Sequence, residues 1–365
     1  MGESRFYLAI GEEASRGTAE TTTVGFVPLL SGRLPSVEFD EAPVSEFRGE
    51  SSLLGPAAWV RKRRSWQATL ELPFYTEAGG EPRMMGTLLK HLFGKAVSLQ
   101  KGLTTAYGHM LYPSARMYEE GSGELEDRAL TLNYNLNEGE TIRNYPYVGG
   151  RVVSVGFEQT PGEPLKLTAE LTGQFRDTPA VALQSPVFPS DALRCDYTTL
   201  RLYTGSVLRE GTAPDFTDIT PDTTATRIKP DRLSIKIDSG KEDVLRLSGL
   251  DYPDRTRLGR FTVEVELTLD WEDPQTGFSS VQEFNSWLSG TETTNLLCVW
   301  DTGTEAATGY NHKLVVDIPR LVRVGGEPEY THEKEPTITL KYQALYDDTA
   351  GYTIGCLLQN TAQSL

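Results

Sequence analysis

The apolar and polar positions alternate most regularly over residues 261–271. There Phe261, Val263, Val265, Leu267, Leu269 and Trp271 interleave with Thr262, Glu264, Glu266, Thr268 and Asp270. A period of two sends successive side chains to opposite faces, which predicts a strand with one buried and one wet face. Residues 66–72 repeat the pattern, with Trp66, Ala68, Leu70 and Leu72 set against Gln67, Thr69 and Glu71. After each strand the spacing changes to a helical one. The apolar stripes are Met85, Leu88, Leu89 and Leu92 in one helix, and Val281, Phe284, Trp287 and Leu288 in the other. Pro82 suits a first turn and Gly94 a stop. Ser280 with Glu283 predicts a capping box, and Gly290 a second stop.

This strand–helix unit occurs twice, and its surroundings repeat with it. Shorter strands are predicted at 6–10, 36–39, 130–136, 153–157 and 165–171 in the first half, whose domain begins at 26–30. In the second half they fall at 193–203, 233–238, 314–318, 321–324 and 338–344. The intervening stretches, 40–56, 100–127 and 212–230, are predicted loops, and 174–190 a linker. Asp40 and Asp238 lie 198 residues apart, and Gly94 and Gly290 lie 196 apart. A nearly constant offset between matched landmarks indicates internal duplication. The predicted fold class is therefore mainly β: two tandem β-sandwich or partly open barrel domains, each with one short α-helix. The expected domains are residues 1–182, including an N-terminal arm, and residues 183–365.

The 365 residues carry 35 basic and 51 acidic groups, a net charge of −16. Both halves are acidic, with 18 basic and 23 acidic groups in residues 1–180 and 17 and 28 in the remainder. Such a surface repels phosphate and argues against tight wrapping on nucleic acid. Cys195, Cys298 and Cys356 are odd in number and widely spaced, so buried thiols are expected rather than disulfides or a metal site. The first residues lack the apolar core of a signal peptide, and no run approaches the ~20 apolar residues of a membrane span. Synthesis in a cytosol-like compartment is the expectation.

Few residues suggest chemistry. His91, His109, His312 and His332 are scattered, with His91 on the polar side of its helix, and surface positions are expected for them. Asp215, Asp218 and Asp222 lack the glycine and terminal glutamate of a calcium loop, which favours a solvated turn. Neither a Gly-x-Ser-x-Gly elbow nor a phosphate loop is present, so no catalytic residue and no cofactor is expected. The remaining pattern concerns charge. The loops at 40–60 and 239–258 pair acidic groups with basic ones at the start of the following strand. Glu41, Glu46 and Glu50 precede Arg61, Lys62, Arg63 and Arg64. Asp238, Glu242 and Asp243 precede Arg255, Arg257 and Arg260. If domains repeat around a ring, the acidic loop of one domain is placed to meet the basic segment of the next.

The order of several short motifs resembles the major tail tube proteins of long, non-contractile-tailed bacteriophages. These are Ala9-Ile-Gly-Glu-Glu-Ala-Ser-Arg-Gly-Thr-Ala19, Phe26-Val-Pro, Glu46-Phe-Arg-Gly49, the strand and helix over 66–94, Arg128-Ala-Leu-Thr-Leu132, Tyr147-Val-Gly-Gly-Arg-Val-Val153 and the strand over 165–173. The second half, with Ile235-Lys-Ile-Asp238 and the segment 259–267, is similar to the second domain of tandem members. The 100–127 segment departs from the pattern. The resemblance implies rings, here trimeric with pseudo-sixfold symmetry, stacked into a tube in the virion tail. DNA passes through such a tube without specific binding. Implied partners are further copies of the chain, a tape measure protein and terminator or baseplate proteins; synthesis would take place in the host cytoplasm. Under this reading Glu264, Glu266 and Asp270 are candidates to line an acidic lumen. The alternatives are another tail ring, of terminator or baseplate type, and a carbohydrate-binding, adhesin-like double β-sandwich. The last would need an exposed aromatic platform, whereas Trp59, Trp66, Trp271, Trp287 and Trp300 mostly fall on apolar faces.

Overall fold

The computed structural model describes residues 6–43, 59–77, 84–114, 128–139, 141–183, 186–247, 249–253, 255–290, 293–331 and 334–365. The first half contains β1 (Phe6–Glu12), β2 (Val24–Val27), β3 (Ser36–Pro43), β4 (Trp59–Pro73), α1 (Met84–Phe93), β5 (Gly94–Gln100), β6 (Tyr107–Pro113), β7 (Leu130–Asn137), β8 (Ile142–Gln159), β9 (Lys166–Gly173), β10 (Phe175–Arg176) and β11 (Ala180–Val181). The second half begins with β12 (Leu200–Thr204), β13 (Val207–Thr212), β14 (Asp215–Pro221), β15 (Thr226–Ile228), β16 (Arg232–Asp238), β17 (Glu242–Val244) and β18 (Arg255–Arg257). It continues with β19 (Thr262–Asp270), α2 (Ser280–Ser289), β20 (Thr293–Ala307), β21 (Tyr310–Gly325), β22 (Pro328–Thr331), β23 (Lys334–Ala344) and β24 (Gly355–Asn360). The chain is mainly β with two helices, and its sheets close into no barrel among the described residues.

The alternation found in the sequence is what buries the sheet. Trp66, Leu70 and Leu72 of β4 and Val263, Val265, Leu267 and Leu269 of β19 all point into one continuous core. That core also holds Trp300 and runs through both halves. Trp66 donates from Nε1 to the carbonyl of Val148 at 2.8 Å. A Cβ on Gly173 would lie 2.1 Å from the indole, so the ring needs glycine there. Phe261 and Trp271 are only half-buried, because β19 ends before each of them.

The pairing scheme occurs twice. In the first half β1 pairs with β2 and β7, β7 with β8, β8 with β9, β9 with β4, and β4 with β3. In the second half β12 pairs with β15 and β20, β20 with β21, β21 with β23, β23 with β19, and β19 with β16. Even the irregularities match: the β8–β9 register shifts between Val152 and Ser154, and the β21–β23 register between Arg323 and Gly325. Val37 lies opposite Trp66 and Ile237 opposite Val263, so Val37 corresponds to Ile237. The landmark pairing of Asp40 with Asp238 is thus two residues out of register.

Several expected loops are strands. Residues 107–113 of the departing 100–127 segment form β6, which pairs with β5 and with the C-terminal strand β24. His109 joins this seam, hydrogen-bonded to Ser98 at 2.8 Å and to Asn360 at 2.9 Å. The 212–230 loop contains β14 and β15, the 174–190 linker contains β10 and β11, and the 239–258 loop contains the β17–β18 hairpin. The strand expected over 193–203 begins only at Leu200. The basic run is not a strand start; it lies inside β4. Pro82, Glu46, Glu50 and His332 fall outside the described residues, as do the side chains of Arg61 and Lys62.

Candidate assembly surfaces

One sheet carries both halves. Its strand order is β3–β4–β9–β8–β16–β19–β23, ending on β21 and β22. The central junction joins β8 of the first half to β16 of the second. There Ile235 lies opposite Phe157, Ile237 opposite Val155, and Asp238 opposite Ser154. At one end of the sheet β3 pairs with β4 alone among the described residues. At the other end, residues 323–325 of β21 and all of β22 pair, among the described residues, with β23 alone. An open strand edge is an unpaired template, so these two ends are the first places to look for association.

The polar face of this sheet is continuous. Register places Ser234 between Glu158 and Glu266, and Lys236 between Gly156 and Glu264. Glu264, Glu266 and Asp270 are exposed near its middle. Glu266 lies 3.4 Å from Lys341, both more than half exposed, so the pair is worth little. Glu158 is tied to Lys166 at 2.8 Å and to Arg232. Burial, with the neighbouring Asp270 carboxylate, raises the pKa of Asp231.

The second charged loop folds onto the first half of its own chain. Arg64 donates from Nε to Asp251 at 3.0 Å, and its backbone N–H donates to the Asp251 carbonyl at 2.7 Å. Its guanidinium lies over the rings of Phe175 and Tyr252, at 4.7 and 5.3 Å. Asp243 is nearly buried against Arg16 at 2.8 Å and accepts from Thr256 and Thr172. The Asp238 carboxylate accepts from the Gly240 N–H at 2.7 Å. Glu242, Arg255, Arg257 and Arg260 are exposed, as is Glu41, while Arg63 is half-buried. Asp251 of this loop and Arg64 of the first basic run thus meet within one chain. Asp251 was absent from the sequence-derived set, because nothing in a linear pattern distinguishes it from its acidic neighbours.

The two helices have different fates. Lys241, which directly follows the turn at Gly240, is buried at the C-terminal end of α1. Its ammonium donates to the carbonyls of Leu92 at 2.9 Å, Val152 at 3.5 Å and His91. Burial pushes the Lys241 ammonium down to about 7, with Arg151 adding to the effect. The helix carbonyls and the negative end of the helix dipole act in the opposite sense. Phe261 stacks on Phe93 at 5.9 Å. At the other end, the carboxylate of Glu77 accepts from the backbone N–H groups of Met85 and Gly86. The C-terminal Leu365 packs at Gly86, where a Cβ would lie 2.4 Å from it. His91 is buried, not exposed on a polar side, and shares a hydrogen bond with Glu12 at 3.0 Å. Burial lowers its pKa to about 4, so the ring is neutral at neutral pH. His109 and His312 are also buried.

α2 has a similar stripe but much less cover. Its N-cap is Ser279, one residue before the expected Ser280, and accepts from Gln282 N–H at 3.0 Å. Ser280 instead donates to the Asp270 carbonyl at 2.7 Å, tying the helix to the end of β19. Val281, Phe284 and Trp287 are half-buried, and Leu288 is 64% exposed. Arg323 lies under the rings of Phe284 and Trp287, at 5.0 and 4.8 Å. It donates to the carbonyls of Gly325 at 3.2 Å and Gly326 at 2.8 Å. Its Nη1 is buried with no hydrogen-bond partner.

The remaining acidic candidates serve structure. Tyr112 donates to Asp215 at 2.6 Å, and Asp218 binds Lys313 at 2.8 Å and Lys101 at 3.4 Å. Asp215 and Asp218 are thus paired groups at the seam of the two halves rather than a solvated turn, whereas Asp222 does cap an exposed turn, accepting from the Thr223 N–H at 2.7 Å. Among the described residues no cluster of three His, Cys, Asp or Glu side chains is placed to hold a metal ion. No helix among the described residues is long and apolar enough to cross a membrane. The three cysteines are free and buried. A model of a family described as phage tail tube protein matches residues 4–344. No curated protein matches the chain.

Proposed function

The chain belongs to the phage tail tube protein family, and from that premise we propose that its copies join head to tail into rings that stack as the wall of a tail tube. Its role is structural, in the virion tail, and the family is not an enzyme class. The observation that carries the ring reading is the β8–β16 junction, which already joins one half to the other edge to edge. Residues 1–182 and 183–365 are taken as two copies of one domain. The open edges at β3 and at β21–β22 then correspond to the two strands that the junction uses up. A contact between different surfaces of identical chains either closes into a ring or runs on as a filament. With two domains per chain, three copies supply six domains, giving a trimer with pseudo-sixfold symmetry.

The sheet face that carries Glu264, Glu266 and Asp270 would line the channel. Its continuity across both halves and its exposed acids support this assignment. An acidic wall releases no counterions on meeting DNA, so the genome can pass without sticking. Tape measure, terminator and baseplate proteins are the further partners that a tail tube implies. Negative-stain microscopy of the purified protein tests the reading. Long tubes of stacked rings are expected; single rings alone would favour a terminator-type component, and monomers at all concentrations would contradict self-assembly.

A further inference from the structure

We propose that the flank formed by α2 and the open β21–β22 edge is the seat for strand β3 of a second copy. The inference rests on the head-to-tail reading above and adds to it which surfaces meet and in what register. Its basis is the occupied seat within the chain. There, β16 lies along β8, the Ser239 N–H donates to the Val153 carbonyl at 2.9 Å, and Lys241 and Phe261 cover the end of α1. Two parts of that seat have counterparts in the second half that are uncovered. Val324 answers to Val153 and is 57% exposed; Leu288 answers to the buried Leu92 and is 64% exposed. The strand that would fill the seat is uncovered as well. β3 answers to β16 and presents Phe39, which is 44% exposed.

Transferring the register is direct. Ile237 opposite Val155 becomes Val37 opposite Gly326, and Asp238 opposite Ser154 becomes Glu38 opposite Gly325. The Phe39 N–H then faces the Val324 carbonyl. Pro35 and Pro328 fall at the level of Ile235 and Phe157, and neither has an N–H to donate. The pairing between copies therefore ends there and covers only the stretch beyond Pro35.

Charge favours the same occupant. In the occupied seat the incoming segment brings the cation, Lys241. In the open seat the cation belongs to the seat itself: Arg323 is 5% exposed, and its Nη1 has no hydrogen-bond partner. The incoming strand carries Glu38, Asp40 and Glu41. A carboxylate from β3 would satisfy a buried donor that is costly to leave unmade. A second copy thus supplies strand, apolar cover and counter-charge together.

Cross-linking tests the register. Phe39→Cys and Val324→Cys are made in separate chains, checked for native circular dichroism, mixed and mildly oxidised. The native cysteines are buried and do not compete. A disulfide-linked dimer is expected from this mixture, roughly tenfold above a control that pairs Phe39→Cys with Tyr330→Cys, since a disulfide tolerates only a narrow range of Cα separations. Tubes that form without the 39–324 link would overturn the seat and leave the ring reading standing. An unmodified chain that forms neither rings nor tubes would overturn both. A second variant, Leu288→Asp, alters only an exposed position of the single chain. It is expected to fold with an unchanged melting curve and to stay unassembled; normal tubes from it would overturn the seat.

Discussion

Helices α1 and α2 stand at the same place in two matching pairing schemes and share apolar groups at Met85 and Val281, Leu88 and Phe284, and Leu92 and Leu288, yet one is buried and the other much less covered. Leu92 is 1% exposed and its counterpart Leu288 is 64% exposed. The difference arises outside the helices. α1 is capped by Lys241, stacked by Phe261 and clamped by Leu365, all from the second half of the chain. Among the described residues nothing covers the end of α2 in the same way. Burial of an amphipathic helix is thus decided by what packs on it from elsewhere, and an open stripe is where a partner would be expected to dock.

The largest expected contrast is between the two charged loops. Replacing residues 42–58 by a short Gly/Ser linker should leave a soluble chain with native circular dichroism that stops at rings or monomers. Replacing residues 241–257 should abolish cooperative unfolding, because that segment holds Lys241, Asp243 and Asp251 against the first half. Equal tolerance of both deletions would remove the contrast.

Point substitutions sharpen it. Leu92→Ala should cost ~2–5 kcal/mol in denaturant titration, the range for truncating a buried leucine. Leu288→Ala in the unassembled chain should change stability by no more than about 0.5 kcal/mol, as at other surface sites. The strands should divide in the same way. Trp66→Ala is expected to cost ~3–5 kcal/mol, and Trp271→Ala distinctly less, because Trp271 is half-buried beyond the end of β19. A Trp271→Ala loss as large as that at Trp66 would place it in the core after all.

These cases also show how far the sequence is informative. The faces of β4 and β19 were legible, because alternation over seven or more residues has few other causes. The helix stripes were legible too, but their burial was not, since a stripe records that something packs there and not what. Lys241 could not be seen as a cap. A lone lysine after Ser-Gly looks solvated, and only the turn at Gly240, with φ of +61°, directs it inward. β6 pairs with its neighbour β5 and with the distant β24, and its Gly/His/Met-containing run, Tyr107–Pro113, shows no clean alternation to announce it. Asp251, which meets Arg64, could not be picked out from its acidic neighbours in the sequence, because tertiary geometry alone brings the two together.

A smaller effect concerns pH. The Lys241 ammonium sits near 7 in the fold against an ordinary 10.5. Above 7 the unfolded chain therefore binds more protons at this residue than the folded one, so its contribution to stability rises with pH. The window is pH 7 to about 9, before the unfolded thiols begin to ionise at their ordinary 9.0. Lys241→Met should flatten that rise, as read from melting temperature against pH, and also cost ~1–3 kcal/mol because the α1 carbonyls lose their donor. An unchanged slope would contradict the assignment. Smallest of all for the fold is the lumen. Joint replacement of Glu264, Glu266 and Asp270 by lysine should leave stability nearly unchanged, yet make assembled tubes retain DNA in a salt-sensitive way. Tubes that remain indifferent to DNA would move those acids off the channel wall.

The account turns on whether the next copy covers the second half as the second half covers the first. A cryo-electron microscopy map of the assembled protein measures this directly. It should show β3 of one copy added to the β21–β22 edge of its neighbour, Val37 opposite Gly326, with Leu288 buried beneath it. A map in which the subunits touch elsewhere, leaving Leu288 and Val324 open to solvent, would contradict it.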